Sequence, residues 1–163
     1  MEKRLFVVKS KNDLERCYPV MKELRPHLSF ADYLSIYDQS HASDGYEIVA
    51  IEDGGRIVAV MGYRFLSDFV RGKHVYVDDL VSTESARSKG LGAELLKFAE
   101  DVAARSGCKS LRLCTGIENE DGSRFYDRNG WTKRAFAYAK RLTERCPHAC
   151  RTQSHHRPCP QPT

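Results

Sequence analysis

No stretch of the 163-residue chain approaches the roughly 20 consecutive apolar residues that a helix needs to cross a bilayer. No membrane role is therefore expected. An export signal is missing as well: Met1-Glu2-Lys3-Arg4 leads into only the short apolar run 5–8, so a soluble, cytoplasmic protein is expected. Charge of one sign is scarce. The 26 basic and 22 acidic residues leave a net +4, and Arg145, Arg151 and Arg157 supply three of those charges in a terminal stretch without acids. The remaining body is nearly neutral, which argues against the clustered basic stripe of a nucleic-acid surface. Six cysteines without an export signal read as thiols rather than disulfides. Cys146, Cys150 and Cys159 lie with His148, His155 and His156 near the end, but their spacing matches no closed zinc pattern with two paired ligand sets, and no metal is expected. Pro147, Pro158, Pro160 and Pro162 oppose regular structure there. The expected organisation is one domain over residues 1–143, long enough to bury a sizeable core, followed by a disordered appendage over 144–163.

Within that domain, residues 5–8 read as a short strand. Ser10 or Asn12 can cap a helix whose Leu14, Cys17, Val20, Met21 and Leu24 recur at helical spacing until Arg25-Pro26. Ser29, with Asp32 three residues on, starts a second helix that Asp44-Gly45 closes. Residues 46–51 and 56–65 are rich in β-branched and aromatic side chains and flank Glu52-Asp53-Gly54-Gly55, the pattern of an antiparallel hairpin. Strands are expected over 75–81, 110–114 and 131–142. Helices are expected from Leu91 to Arg105, where Leu91, Leu95, Phe98 and Val102 form one apolar stripe, and over 122–128.

Between the strand at 75–81 and the helix that follows stands Arg87-Ser88-Lys89-Gly90-Leu91-Gly92. A helix start presents unpaired amides and the positive end of the helix dipole, which suits a pyrophosphate. Gly90 and Gly92 permit close backbone approach, and Arg87 and Lys89 add positive charge. The third glycine of a dinucleotide fingerprint is lacking, and no Gly-Lys-Ser or Gly-Lys-Thr follows, so neither a Rossmann site nor a P-loop is supported.

Arg87, Gly90 and Gly92 resemble the acetyl-CoA loop of the GNAT superfamily of N-acetyltransferases, Arg/Gln-x-x-Gly-x-Gly/Ala after a central strand. Arg124-Phe125-Tyr126-Asp127-Arg128-Asn129-Gly130-Trp131 is similar to the family's later Phe-Tyr helix with its Asn-Gly and aromatic, and Glu23-Leu24-Arg25-Pro26-His27-Leu28 resembles the start of a bacterial subgroup. The likeness covers residues 5–142. It implies an α/β (α+β) fold: a mixed, mostly antiparallel sheet of six to seven strands flanked by helices, with the parallel fourth and fifth strands splayed apart. It also implies acetyl-CoA as co-substrate, bound by residues 87–92, by the backbone of Leu80 and Val81, by Asn119 and by Tyr126.

The chemistry then expected is direct attack by a primary amine on a thioester in a ternary complex, since no cysteine occupies a matched nucleophile position. An alkyl amine with a pKa near 10 is unprotonated in only about one molecule in a thousand at pH 7, so a carboxylate is wanted nearby. Asp78 and Asp79 are the candidates. Strand alternation sends their side chains to opposite faces unless a bulge intervenes, and the resemblance to polyamine acetyltransferases favours Asp78. Tyr126 matches the family tyrosine that protonates the departing thiolate. The acceptor cleft is expected among Tyr33, Tyr37, the hairpin and the last strand, where Glu47 with Asp78 and Asp79 suggests a cationic amine, either a small molecule or a protein lysine. A homodimer is compatible with the sequence. The competing class is a CoA-responsive binding or regulatory domain without efficient catalysis.

Overall fold

The computed structural model describes residues 3–142. The chain divides into two compact units, Met1–Lys133 and Arg134–Thr163. In the first, β1 (Arg4–Val7), α1 (Lys11–Leu24), α2 (Phe30–Asp44), β2 (Glu47–Asp53), β3 (Arg56–Asp68), β4 (Gly72–Ser82), α3 (Leu91–Arg105), β5 (Leu111–Leu113) and α4 (Glu120–Arg128) follow in order. Their sheet runs β1-β2-β3-β4-β5. The pairs are antiparallel except β4 with β5, which is parallel.

The helices form where local chemistry starts and stops them. The Ser10 hydroxyl accepts from the Asp13 amide and caps α1, and Ser29 does the same for α2 through Asp32. Gly45 ends α2 in the left-handed region at φ 63°, its amide returned to His41. Both faces of the sheet are covered. On one, Val49, Ile51, Met61, Tyr63, Val75 and Val77 pack with Leu91, Leu95, Ala99 and Ala103 of α3. On the other, Ile48, Ala50 and Val60 pack with Leu14, Cys17, Val20 and Met21 of α1 and Tyr33 of α2. The alternation of Ile48 and Ala50 against Val49 and Ile51 divides β2 between the two cores, so this strand reads as an unbroken apolar run. Cys17 is a small core hydrophobe, its thiol pushed up to about 12 by burial. No helix among the described residues is long and apolar enough to cross a membrane.

The sheet has five strands, where six to seven are expected from the resemblance. The strand predicted over 131–142 is the difference. In the second unit, residues 134–142 contain no helix or strand, and Phe136 and Tyr138 are 87% and 97% exposed. Alternating side chains favour a strand only when its amides and carbonyls find a ladder partner, and among the described residues these find none. The appendage over 144–163, with its cysteines and histidines, lies outside the described residues.

Candidate active site

β4 and β5 are paired only at Val75 with Leu111, Tyr76 with Arg112 and Val77 with Leu113. Past Val77 the first strand continues for five residues while β5 ends, so alternate backbone groups of β4 lose a ladder partner on that side. A cavity of about 180 Å³ occupies the gap, lined by Val77 to Leu80 on one side and by Leu113, Cys114, Asn119 and Tyr126 on the other. Leu80 lines it. Val81 does not, and packs instead toward the α1 and α2 side of the sheet.

Tyr126 projects from α4 with its ring against Phe125 and Trp131, centroids 5.2 and 6.0 Å away. Its hydroxyl has no hydrogen-bond partner among the described residues, and burial raises the phenol above its ordinary value of 10. It is therefore a protonated donor across the neutral range. Asn119 also borders the cavity, but its side chain is engaged at both ends: Oδ1 accepts from the Gly122 amide at 2.9 Å, capping α4, and Nδ2 donates to Thr115 Oγ1 at 3.0 Å. That cap starts α4 two residues before the predicted 122.

The loop from Arg87 to Gly90 is exposed and leads into α3. Gly90, at φ 77°, occupies the N-cap position with no side-chain cap, and the amides of Leu91, Gly92 and Ala93 have no backbone partner among the described residues. Ser88 has φ 63°, a left-handed conformation that a serine holds at some cost. Gly92 has a different reason to be small: a Cβ there would stand 2.9 Å from Phe125 Cζ, so its bare backbone lets α4 pack on the start of α3.

The two acids do not follow simple alternation. Gly62 faces Asp79 and Tyr63 faces Val77, so Asp78 is one residue too many on β4 and forms a bulge. Both carboxylates consequently line a second cavity, of about 260 Å³, together with Arg25, Arg64, Tyr33 and Tyr37. Each is already paired. Arg64 grips Asp78 with both arms, Nε to Oδ2 at 2.9 Å and Nη2 to Oδ1 at 2.5 Å, and this pairing raises the guanidinium further. Asp79 accepts from Arg25 Nε at 3.0 Å and Nη2 at 2.8 Å on one oxygen, and from the Tyr46 hydroxyl at 2.7 Å on the other. Burial first, and Asp79 second, hold the Tyr46 phenol well above its ordinary value.

Tyr33 and Tyr37 stand on the wall of this cavity, and burial raises both phenols. The Tyr33 hydroxyl is turned into the fold, donating to the Leu14 carbonyl at 3.0 Å. Glu47 lines neither cavity. Arg25, Arg64, Tyr46 and Gly62 are participants that sequence reasoning missed. Arg25, Asp78 and Asp79 border both cavities, so the two share a wall at the bulge.

Comparison with known proteins gives this arrangement its context. A model described as the acetyltransferase (GNAT) family matches residues 9–131. An uncharacterized N-acetyltransferase of Bacillus subtilis (strain 168), YhdJ, is 33% identical over 132 residues, covering 80% of this chain and 93% of that protein. The aminoalkylphosphonate N-acetyltransferase of Salmonella typhimurium is 33% identical over 66 residues, 40% of this chain and 43% of that protein. Among solved structures, the aminoglycoside N-acetyltransferase AAC(6')-Iy in complex with CoA superimposes with a TM-score of 0.73 at 19% identity, over 87% of this chain and 98% of its own. With the family model spanning most of its length and a Bacillus N-acetyltransferase aligned along four-fifths of it, the chain belongs to the acetyltransferase (GNAT) family and is an N-acetyltransferase.

Proposed function

We propose that the protein transfers an acetyl group from acetyl-CoA to a primary amine by direct attack in a ternary complex. One observation carries this reading: the gap between β4 and β5, with the Tyr126 phenol on its wall, shares the Asp78 bulge with a second cavity large enough for a small acceptor. Two reactants entering from the two cavities would meet at β4.

The residues fit the co-substrate. The open amides of Leu91, Gly92 and Ala93, with Arg87 and Lys89 beside them, provide donors and positive charge for its diphosphate. The partnerless side of β4 near Leu80 and Val81 offers backbone groups to its arm and a donor to the carbonyl that gains charge. Asn119, busy capping α4, contributes chiefly by fixing the helix that carries Tyr126. When bound, acetyl-CoA supplies the activated acyl group.

Asp78 and Asp79 draw the ammonium form of the acceptor to the bulge, and Asp78 takes up its proton through water. Arg64 occupies one lone pair on each Asp78 oxygen and leaves the others for that water. Tyr126 then returns a proton to the departing thiolate. A thiol pKa near 8.5 makes this help modest. The aminoalkylphosphonate relative supports a small-molecule amine as acceptor.

The test is to mix purified protein, acetyl-CoA and a panel of amine classes and to follow free thiol release. Amine-dependent release is expected. Protein that binds CoA in calorimetry yet releases no thiol with any amine would favour the CoA-responsive binding domain instead.

A further inference from the structure

We infer that the acceptor carries, besides its amine, an anionic oxyacid group such as a carboxylate or phosphonate, and that Arg25 receives that group. This rests on the acetyl-transfer reading above and narrows its substrate class. The acids that suggest a cationic substrate in the sequence are not alone in the cavity. Asp78 and Asp79 line it with Arg64 and Arg25, two negative side chains against two positive ones. Each carboxylate is met by a guanidinium within 3.0 Å. A polyamine would bring a second positive charge to cavity-lining carboxylates that each already hold a guanidinium. An amine that also carries an anion matches it charge for charge.

The two arginines differ in what they have left to give. Arg64 uses all three nitrogens, two on Asp78 and Nη1 on Asp44 at 3.2 Å. Arg25 uses Nε and Nη2 on Asp79, and Nη1 donates to nothing among the described residues. Its side chain is 45% exposed. Arg25 is nonetheless held in place. It forms the C-cap of α1, its amide donates to the Met21 carbonyl, Pro26 follows it, and Asp79 that anchors its head is itself fixed by Tyr46. A guanidinium held on one edge with donors free on another is preorganised to take an oxyanion at low entropic cost.

Position sets the length of the acceptor. Arg25 borders both cavities, so an anion bound there sits beside the place where the amine is acylated. Few bonds can separate the two groups. The second cavity, about 260 Å³, also falls below the roughly 300–1,000 Å³ that houses drug-sized ligands, which favours a compact amino acid or aminophosphonate over an aminoglycoside.

The experiment uses four amines of similar chain length: 3-aminopropanoate, 2-aminoethylphosphonate, propylamine and 1,3-diaminopropane. Thiol release with the full chain should give kcat/KM values for the two anionic amines about 10- to 100-fold above propylamine, the worth of a charge-assisted hydrogen bond, with the diamine lowest. The two anionic amines compared with each other tell a carboxylate site from a phosphonate site. Arg25→Glu should invert the order, raising the diamine above both. If that variant fails to melt cooperatively, Arg25→Gln should bring the anionic amines and propylamine to within about threefold of one another. Propylamine or the diamine matching the anionic amines in the unmodified enzyme overturns the inference and leaves acetyl transfer standing, as does an order unmoved by substituting Arg25. Release with some other amine and none of the four overturns the inference alone, whereas no release with any amine from protein that binds CoA overturns both.

Discussion

Replacing Gly62 with alanine tests the architecture of the bulge without touching an ionisable group. A Cβ at this position would stand 1.7 Å from Tyr46 Oη and 2.4 Å from Cζ, distances no side chain tolerates. An exposed phenol would swing away. Tyr46 is only 8% exposed, its hydroxyl is bonded to Asp79, and its ring meets Tyr37 edge-on at 6.3 Å. Two costs follow. Overpacking a core costs about 1–3 kcal/mol, and losing a hydrogen bond to a charged partner costs about 1.5–3 kcal/mol. The two share one displacement and do not add in full, so Gly62→Ala should lose about 2–5 kcal/mol. At about 2–4 °C per kcal/mol, the melting temperature should fall by roughly 5–15 °C. A double-mutant cycle isolates the cause. In a Tyr46→Ala background the added methyl meets an empty space, and Gly62→Ala should cost under about 1 kcal/mol. Chemical denaturation of the four proteins measures the coupling. Equal costs in both backgrounds would refute the claim that Gly62 exists to admit the Tyr46 hydroxyl to Asp79.

Three further outcomes are expected. Tyr126→Phe should lower kcat about 3- to 30-fold without abolishing thiol release; because burial raises the phenol, the native enzyme should show no loss from its deprotonation below pH 10, and a pH profile matching the variant's in height would remove Tyr126 from the chemistry. Arg87→Ala combined with Lys89→Ala should weaken CoA binding about 10-fold in calorimetry and flatten its dependence on salt, as expected when exposed charges face a diphosphate. On the far edge of the sheet, Arg16 and Arg4 hold the Glu52 carboxyl below its ordinary 4.5. A depressed carboxyl stabilises the fold above its unfolded value and loses that contribution as pH falls through the folded one, so the stability gap between native protein and Arg16→Ala should be open near pH 7 and close below about pH 4.5.

The local rules in the chain were enough for several elements. The apolar stripe of Leu91, Leu95, Phe98 and Val102 and the glycines around it mark α3 at its observed bounds, Leu91–Arg105. Ser10, Ser29 and Gly45 mark helix ends because their chemistry acts over three or four residues. Longer-range features were not legible. The bulge at Asp78 depends on how β3 and β4 are brought into register, and nothing in Val77-Asp78-Asp79 announces it. Arg25 reaches Asp79 across 54 positions of sequence, and Arg64 pairs with Asp78 only after a hairpin has folded back. Thus the acids were readable as residues, whereas their neutralised state was a tertiary property. The alternation over 131–142 misled for the opposite reason: it describes what a strand would bury, and a ladder needs a neighbour as well.

The extra residue in β4 acts as a splice in the strand's two-step count. Upstream of Asp78 the even positions look one way; downstream they look the other, because a single insertion has changed the parity. Excising that residue would restore one continuous phase, take one of the two acids from the shared wall and leave Arg64 without the carboxylate it holds by two donors. A deletion of one amino acid would thus alter the strand's facing pattern and the charge of both cavities at once.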